Sequence, residues 1–560
     1  MHSENQTLSP RHRLTLRGGW EHRPRSVSSQ LHENQTNGDK PVYKVGISLA
    51  QILDRSYTLG RFRQTKIICA IGPSCWSTEM LGRLLDAGMN VARFNFSHGD
   101  HALHARSLSN LRDAMQTRPG CHCAVLLDTK GPEIRTGPLK DHIPVHLVSG
   151  QELVLVADES FQDGDATRIG CNYAHLATSV SPGSTILVDD GGLTLKVLAC
   201  KSATEVVTQV QNNYVLDERK NMNLPGAALR IPGITTKDEH DLREFAIPQR
   251  VDIVSGSFVR SAANVRAIRA CLGEAGKYIR VHAKIESLEA LRNIDEIIAE
   301  ADGVHVSRGD LGMELAPEQV FMAQKLIIRK ANLANKPVVT STQMLQSMTK
   351  CPTPSRAECT DVANAVLDGT DCVMLSGETA KGQYPVEAVT TMARICIEAE
   401  GSLHYPTLYT NLRDATPKPI SICEAMASSA VETAIDIQAK LIVALTDSGY
   451  TAKCIAKYRP AARVLAVTAE PYVARQLTGL SRGITCLKVA SMSGTDDLID
   501  IAIEHAKRQR WIASMDIVVV LHGLVEGAPG RTNVVKIIQA NDHGYASPMN
   551  QRSPASIAFP

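Results

Sequence analysis

From about residue 61 the chain repeats one alternation: a short β-branched run, an amphipathic stretch at helical spacing, then another run. Two parallel strands need a crossover long enough for a helix, so this rhythm predicts βα units around a parallel sheet. Eight runs qualify, at 65–71, 90–95, 124–128, 251–255, 278–286, 303–307, 337–342 and 372–376. The stretch 287–301, with Leu, Ile and Ala at helical spacing, is read as one of the connecting helices. Eight such units predict an α/β fold of the closed (β/α)8, or TIM-barrel, type.

The rhythm breaks after the third run. Residues 132–234 show β-rich alternation with many Gly and Pro turns, and no crossover helix follows promptly. This predicts an inserted β-barrel lid domain, hinged at its two ends over the barrel mouth. A separate α/β unit begins near residue 405, with a helix at 424–437 and strands at 441–445, 464–467 and 517–521. The expected organisation is therefore an extension over 1–60, a barrel over 61–131 and 235–404, a lid over 132–234, and a C-terminal α/β regulatory domain over 405–560.

Composition excludes several classes. With 60 basic and 58 acidic residues, net +2, nothing suggests bulk nucleic-acid binding. No apolar stretch approaches the roughly 20 residues needed to span a bilayer. The 14 cysteines lie mostly singly, as reduced thiols of a cytoplasmic protein do. The first forty residues are rich in Ser, Asn, Gln, His and Arg, which predicts a largely flexible tail. They contain no apolar core of a secretory signal, while several Arg and few acids keep an organellar transit peptide open.

Polar residues fall at the carboxyl ends of the expected strands, where a barrel enzyme keeps its active site. Lys284 and Glu286, two apart on one strand, share a face, and Asp310 follows one strand later. Two carboxylates from adjacent strand ends suit Mg²⁺, and a lysine beside them suits a phosphoryl group in transfer. A buried ion pair closing the barrel would need the same residues. Gly309, in Arg308-Gly309-Asp310-Leu311-Gly312, places backbone N–H groups where they can cradle a carboxylate or phosphate. Arg93 and Arg135 are forks for phosphate oxygens.

Six longer segments resemble the signatures of pyruvate kinases: Asn-Val-Ala-Arg-Phe-Asn-Phe-Ser-His-Gly (90–99), Leu-Asp-Thr-Lys-Gly-Pro-Glu-Ile-Arg-Thr-Gly (127–137), Met-Asn-Leu-Pro-Gly-Ala (222–227), Ala-Lys-Ile-Glu (283–286), Arg-Gly-Asp-Leu-Gly (308–312) and Met-Leu-Ser-Gly-Glu-Thr-Ala-Lys-Gly (374–382). They stand in that family's order and spacing, from about residue 61 to beyond 530. The resemblance implies transfer of the phosphoryl group of phosphoenolpyruvate to ADP, giving pyruvate and ATP. It implies Arg93, Lys284 and Thr342 as catalytic residues, and substrate contacts from Arg93, Lys284, Gly309, Asp310 and Thr342. Glu286 and Asp310 would hold Mg²⁺ (or Mn²⁺). Asn95, Ser97, Asp128 and Thr129 would hold K⁺, with Glu133 the acid that accompanies K⁺ dependence. Asn95, His98, Arg135 and Lys220 would face the nucleotide, and Asp189 or Asp190 of the lid would meet its metal. A homotetramer is implied by the same resemblance.

Three positions depart from the family pattern beside the site: Phe94 for Leu, and Ser307 and Ser341 for Ala. In the C-terminal domain, Thr446, Ser448 and Thr451 resemble the family's loop for a sugar-phosphate effector. The loop 526–532 is divergent, which leaves a one-phosphate effector, or none, open. A lyase or aldolase working on a pyruvate enolate, and a non-catalytic relative, are the competing readings. The lid weighs against the first, and the presence of Arg93, Lys284, Glu286 and Asp310 against the second.

Overall fold

A computed structural model of the chain describes residues 61–158, 160–227, 229–524 and 532–541. The expected tail over 1–60 and residues 526–531 of the divergent loop lie outside them. Eight strands pair in parallel and close into a barrel: β1 (Lys66–Ala70), β2 (Val91–Asn95), β3 (Ala124–Asp128), β4 (Ile253–Gly256), β5 (Arg280–Ile285), β6 (Gly303–Ser307), β7 (Val338–Ser341) and β8 (Cys372–Leu375). Each expected run contains or overlaps one of them. The strands are buried nearly throughout, as both faces of a parallel sheet require.

Alternation along each strand sorts side chains by depth inside the barrel. At the amino-terminal end Val91, Ala124, Ile253, Val339 and Cys372 pack in one apolar cluster with Leu480 of the C-terminal domain. Above them His282 and His305 share a Nδ1···Nε2 hydrogen bond at 3.2 Å. Higher still the same faces carry Arg93, Asp128 and Lys284, and Lys284 is the register neighbour of His305. The barrel thus has an apolar floor and a charged mouth.

Burial drives His282 down to about 4 and His305 well below its ordinary value. An unfolded histidine titrates near 6.5, so below that pH the unfolded chain binds the extra proton and the folded one resists it. Stability from His282 is whole above about 6.5 and declines as pH falls towards 4, by up to about 3 kcal/mol. His282→Leu is expected to flatten the acid limb of a melting-temperature profile over that window. An unchanged limb would assign it to other groups.

The expected helix over 287–301 is two helices, Leu288–Arg292 and Ile294–Glu300. Asn293 separates them at φ −97°, ψ 15°, and its side-chain Nδ2 donates to Arg260 O at 2.8 Å. A side chain that bonds to distant backbone competes with the helix it sits in.

After β3 the chain enters the inserted domain. Its six-stranded sheet runs in the order Met222–Asn223, Thr185–Val188, Leu193–Cys200, Glu205–Val210, Glu152–Val156, Arg168–Gly170, and Val145–Leu147 pairs with Tyr214–Leu216 as a ribbon. Residues 134–137 bridge the two outer strands of this sheet, Arg135 pairing with Asn221 beside one and Thr136 with Cys171 beside the other, so the ladder closes into the expected small β-barrel. Met222 N donates to Ile134 O at 2.8 Å and Gly137 N to Gly170 O at 2.7 Å, and one apolar cluster including Leu153, Ile186, Leu195 and Leu216 fills the interior. The return to the barrel is fixed by a capping box between Thr235 and Asp238. Asp238 Oδ1 also accepts from Gly131 N at 3.1 Å, so the outgoing and returning segments meet at one carboxylate.

The C-terminal sheet has five strands: β9 (Leu441–Leu445), β10 (Arg463–Thr468), β11 (Ile484–Lys488), β12 (Ile517–Gly523) and β13 (Thr532–Gln539), in the order β11-β10-β9-β12-β13. Only β13 is antiparallel. Helix Pro471–Leu480 packs on the amino-terminal end of the barrel so closely that a Cβ on Gly479 would lie 2.8 Å from Ala124 Cβ. Ion pairs Arg475–Asp252, at 2.8 Å, and Arg459–Asp371 join the same surfaces. The C-terminal domain therefore seals the floor and leaves the opposite end for chemistry. Among the described residues no helix is long and apolar enough to cross a membrane.

Candidate active site at the barrel mouth

Lys284 stands at the centre of the mouth. Its Nζ lies 2.9 Å from Glu286 Oε1 and 3.5 Å from Asp128 Oδ1, and donates to Ser257 Oγ at 3.0 Å. Burial alone would lower the ammonium's pKa, but Asp128, Glu286 and Asp310 outweigh it and hold the charge firmly in place. Arg93 Nε donates to Asp128 Oδ2 at 2.6 Å. Burial pushes the Asp128 carboxyl up, and Arg93 with Lys284 more than reverse this.

Glu286 is buried, and its Oε2 accepts from Phe258 N at 2.6 Å. Its Oε1, though close to Lys284, has no donor aligned on it. Asp310 is pushed up to about 7, first by burial and then by the charge of Glu286. A buried carboxylate with one oxygen lacking a donor, beside a half-buried carboxylate whose proton affinity it raises, forms a site that a divalent cation fits.

The turn after β6 runs straight into helix Arg308–Glu314. Arg308 is a clamp: its guanidinium donates to Thr342 O at 2.7 Å and to Asp361 Oδ1 at 2.6 Å. Gly309 N donates to Thr342 Oγ1 at 2.7 Å, which brings these two expected substrate residues together. Thr342 has φ +65°, costly for a β-branched residue and common where a site stores strain.

The four expected K⁺ ligands gather at adjoining strand ends. Asn95 and Asp128 are register partners, Asn95 Oδ1 accepts from Ser97 N at 3.1 Å, and Thr129 Oγ1 accepts from Ser257 N at 3.0 Å. One carboxylate among neutral oxygens is a donor set suited to a monovalent cation. Across the mouth, Arg135 pairs with Glu133 at 2.7 Å and Lys220 with Asp189 at 3.3 Å. His98 is exposed, and burial of its ring edge with the nearby Arg135 and Arg93 lowers its pKa.

The lid tip reaches the barrel, since a Cβ on Gly191 would lie 3.2 Å from Met313 Sδ. Asp189 and Asp190 both have left-handed φ, 52° and 53°. Asp189 is tied inward by Tyr214 Oη at 2.7 Å, whereas Asp190 is held by Asn221 Nδ2 at 2.7 Å and raises the proton affinity of Asp310.

In the C-terminal loop Thr446 and Thr451 turn inward. Thr446 Oγ1 accepts from Gly449 N at 3.0 Å, and Thr451 shares a hydrogen bond with Thr532 at 2.6 Å. Ser448 is the exposed hydroxyl of the three.

Of the departures beside the site, Ser341 Oγ donates to Val306 O at 3.0 Å, but Ser307 Oγ is buried with no protein partner. An unsatisfied hydroxyl is destabilising, so Ser307→Ala is expected to raise stability by about 1 kcal/mol in denaturant titration. A loss of that size instead would place a bound water on Ser307. Sequence reasoning passed over Ser257 as the partner of Lys284 and the His282–His305 pair beneath it. The period of two, which places residues 282 and 284 on one face, was the signal for the latter.

Residues 62–389 match the family model described as the barrel domain of pyruvate kinase, and residues 424–538 its alpha/beta domain. The chain is 48% identical to the pyruvate kinase of Eimeria tenella over 517 residues, 92% of this chain and 94% of that one. It is 46% identical to a cytosolic isozyme of pyruvate kinase from Glycine max, over 85% of this chain and 96% of that one. A crystal structure of a pyruvate kinase from Cryptosporidium parvum superposes with a TM-score of 0.83 at 45% identity, covering 88% of this chain and all of that one.

Proposed function

The chain belongs to the pyruvate kinase family, which moves the phosphoryl group of phosphoenolpyruvate to ADP at the end of glycolysis, and from that premise we propose how its own residues divide the work. The observation that carries the proposal is the charged cluster of Lys284, Asp128, Arg93, Glu286 and Asp310 at the barrel mouth, built around the buried Asp128 and Glu286. Arg93 and Lys284 bind and orient the transferring phosphoryl group, and Lys284 offsets the charge that spreads over its oxygens. The family depends on metal, and Glu286 and Asp310 are the residues that would hold Mg²⁺ or Mn²⁺, which when bound neutralises charge on phosphoryl and enolate oxygens. Asn95, Ser97, Asp128 and Thr129 would hold K⁺.

Gly309 N–H, now bonded to Thr342, receives the substrate carboxylate, and the displaced Thr342 hydroxyl orients the water that protonates the enolate. Asn95, His98, Arg135 and Lys220 face the nucleotide. Asp190 is the lid acid directed to the nucleotide's metal, and Asp189 positions it. The lid over 132–234 excludes water, which would otherwise take the phosphoryl group. The barrel over 61–131 and 235–404 and the α/β domain over 405–560 complete the organisation. Ser448, with rearranged Thr446 and Thr451, would bind a sugar phosphate.

A homotetramer is proposed on exposed apolar residues in two places, Phe321 and Met322 of the barrel, and Ile422 and Ile537 of the C-terminal domain. Cytoplasmic residence is proposed from the cytosolic plant isozymes.

The test is pyruvate formation from phosphoenolpyruvate and ADP, with Mg²⁺, with and without K⁺, across a panel of sugar phosphates. Turnover that needs Mg²⁺ and rises with K⁺ is expected. Turnover indifferent to K⁺ would remove the four-oxygen assignment, and a flat panel would remove the effector.

A further inference from the structure

Helices Ile422–Asp436 and Tyr450–Lys457 pack against each other beside the loop that carries Thr446 and Thr451. Each contributes one buried cysteine to their contact, Cys423 in the first turn of one and Cys454 in the second turn of the other. Both lie in one buried apolar cluster, Cys454 stands three residues after Thr451 on the same helix, and each thiol biases the other's proton affinity. Cys423 Sγ lies 3.6 Å from Thr451 Oγ1, and Asn335 Nδ2 donates to Cys454 Sγ at 3.4 Å. With Cys454 beside it, and hydroxyls of Thr451 and Thr532 at hand, Cys423 gives up its proton more readily than an ordinary thiol, while Cys454 holds its own. The first turn of a helix adds a favourable field for the thiolate. Cys423 is 3% exposed and neighbours Tyr450, which is 38% exposed.

We propose that Cys423 and Cys454 form a redox modification site whose oxidant is a small hydroperoxide and whose product is a disulfide between the two helices. The Cys423 thiolate attacks one peroxide oxygen, the O–O bond breaks, and hydroxide leaves and takes up a proton as water. The resulting sulfenic acid is attacked by the Cys454 sulfur, which loses its proton; the S–O bond breaks and a second water departs. Two thiols are oxidised by two electrons and one hydrogen peroxide is reduced to two waters. A dithiol reduces the disulfide back to two thiols and is itself oxidised. The bridge fixes the helix bearing Thr451 to its neighbour and removes the thiol proton now directed at the Thr451 hydroxyl, so the loop 446–451 is where the oxidation is read.

The experiment treats the intact enzyme with hydrogen peroxide, alkylates remaining thiols under denaturing conditions, and maps peptides by mass spectrometry. The expected result is a linked pair containing Cys423 and Cys454, lost on dithiothreitol treatment. Cys454→Ser should instead leave a sulfenic acid on Cys423 that dimedone captures, and Cys423→Ser should leave Cys454 fully alkylatable. Recovery of both cysteines as free thiols from the unmutated enzyme, at doses that oxidise the exposed Cys200 and Cys351, would overturn the proposal.

Discussion

Lys284→Met is expected to lower turnover by about a thousandfold or more, roughly 4 kcal/mol of transition-state stabilisation. The side chain is 13% exposed and lies between Asp128 and Glu286, so its charge acts where water screens little. Removing it also strands Glu286 beside Asp310 without a cation, and the melting temperature should fall, by the equivalent of about 3–5 kcal/mol for a broken buried pair. Lys284→Arg separates the two effects. It restores a positive charge, and so much of the stability, but a planar fork cannot occupy the position of an ammonium donating to Ser257, and turnover should stay low. Near-normal turnover in the methionine variant, with fold intact by circular dichroism, would remove Lys284 from its assigned role.

Asp310→Asn should have opposite effects on activity and on metal-free stability. Half-saturation by Mg²⁺ is expected to rise at least about tenfold, with turnover down by about two orders of magnitude. In chelator, however, the variant should be the more stable protein at pH 8. The Asp310 carboxyl titrates at about 7 when folded against 3.8 as a reference, so the folded state keeps its proton longer than the unfolded one. The stability linked to that proton is whole below about 3.8 and is lost as pH rises to 7, by up to about 4 kcal/mol. Asparagine has nothing to lose over that range, so the melting-temperature gap should open between pH 4 and pH 8. A constant gap would mean that folding does not raise the proton affinity of Asp310. Unchanged Mg²⁺ dependence would remove Asp310 from the metal site.

Much of this was legible in the chain. All eight barrel strands announced themselves because a parallel strand buried on both faces reads as a short, near-continuous apolar run, broken only where the barrel interior carries charge. Lys284 and Glu286 were placed on one face by the pleat alone, and their Nζ···Oε1 distance of 2.9 Å is the consequence. The inserted domain was visible as a change of period. Its strand order was not, because Met222–Asn223 and Arg168–Gly170 are too short to carry a pattern, and the ring closes between them only through the bridges of Arg135 and Thr136.

Other features came only from the folded chain. Asn293 divides a helix by bonding to Arg260, 33 residues away in sequence. Ser257 belongs to the site because β4 lies between β3 and β5, a neighbour relation that the insertion over 132–234 hides. The inward turn of Thr451 depends on strand β13, whose Thr532 supplies a partner from the far end of the domain. The sequence by itself determined the period of each segment, and so its class and the face each side chain takes. Tertiary structure decided which charges meet and in what dielectric, because proton affinity at Asp310, Asp128 and Lys284 is set by burial and by partners brought together from distant segments.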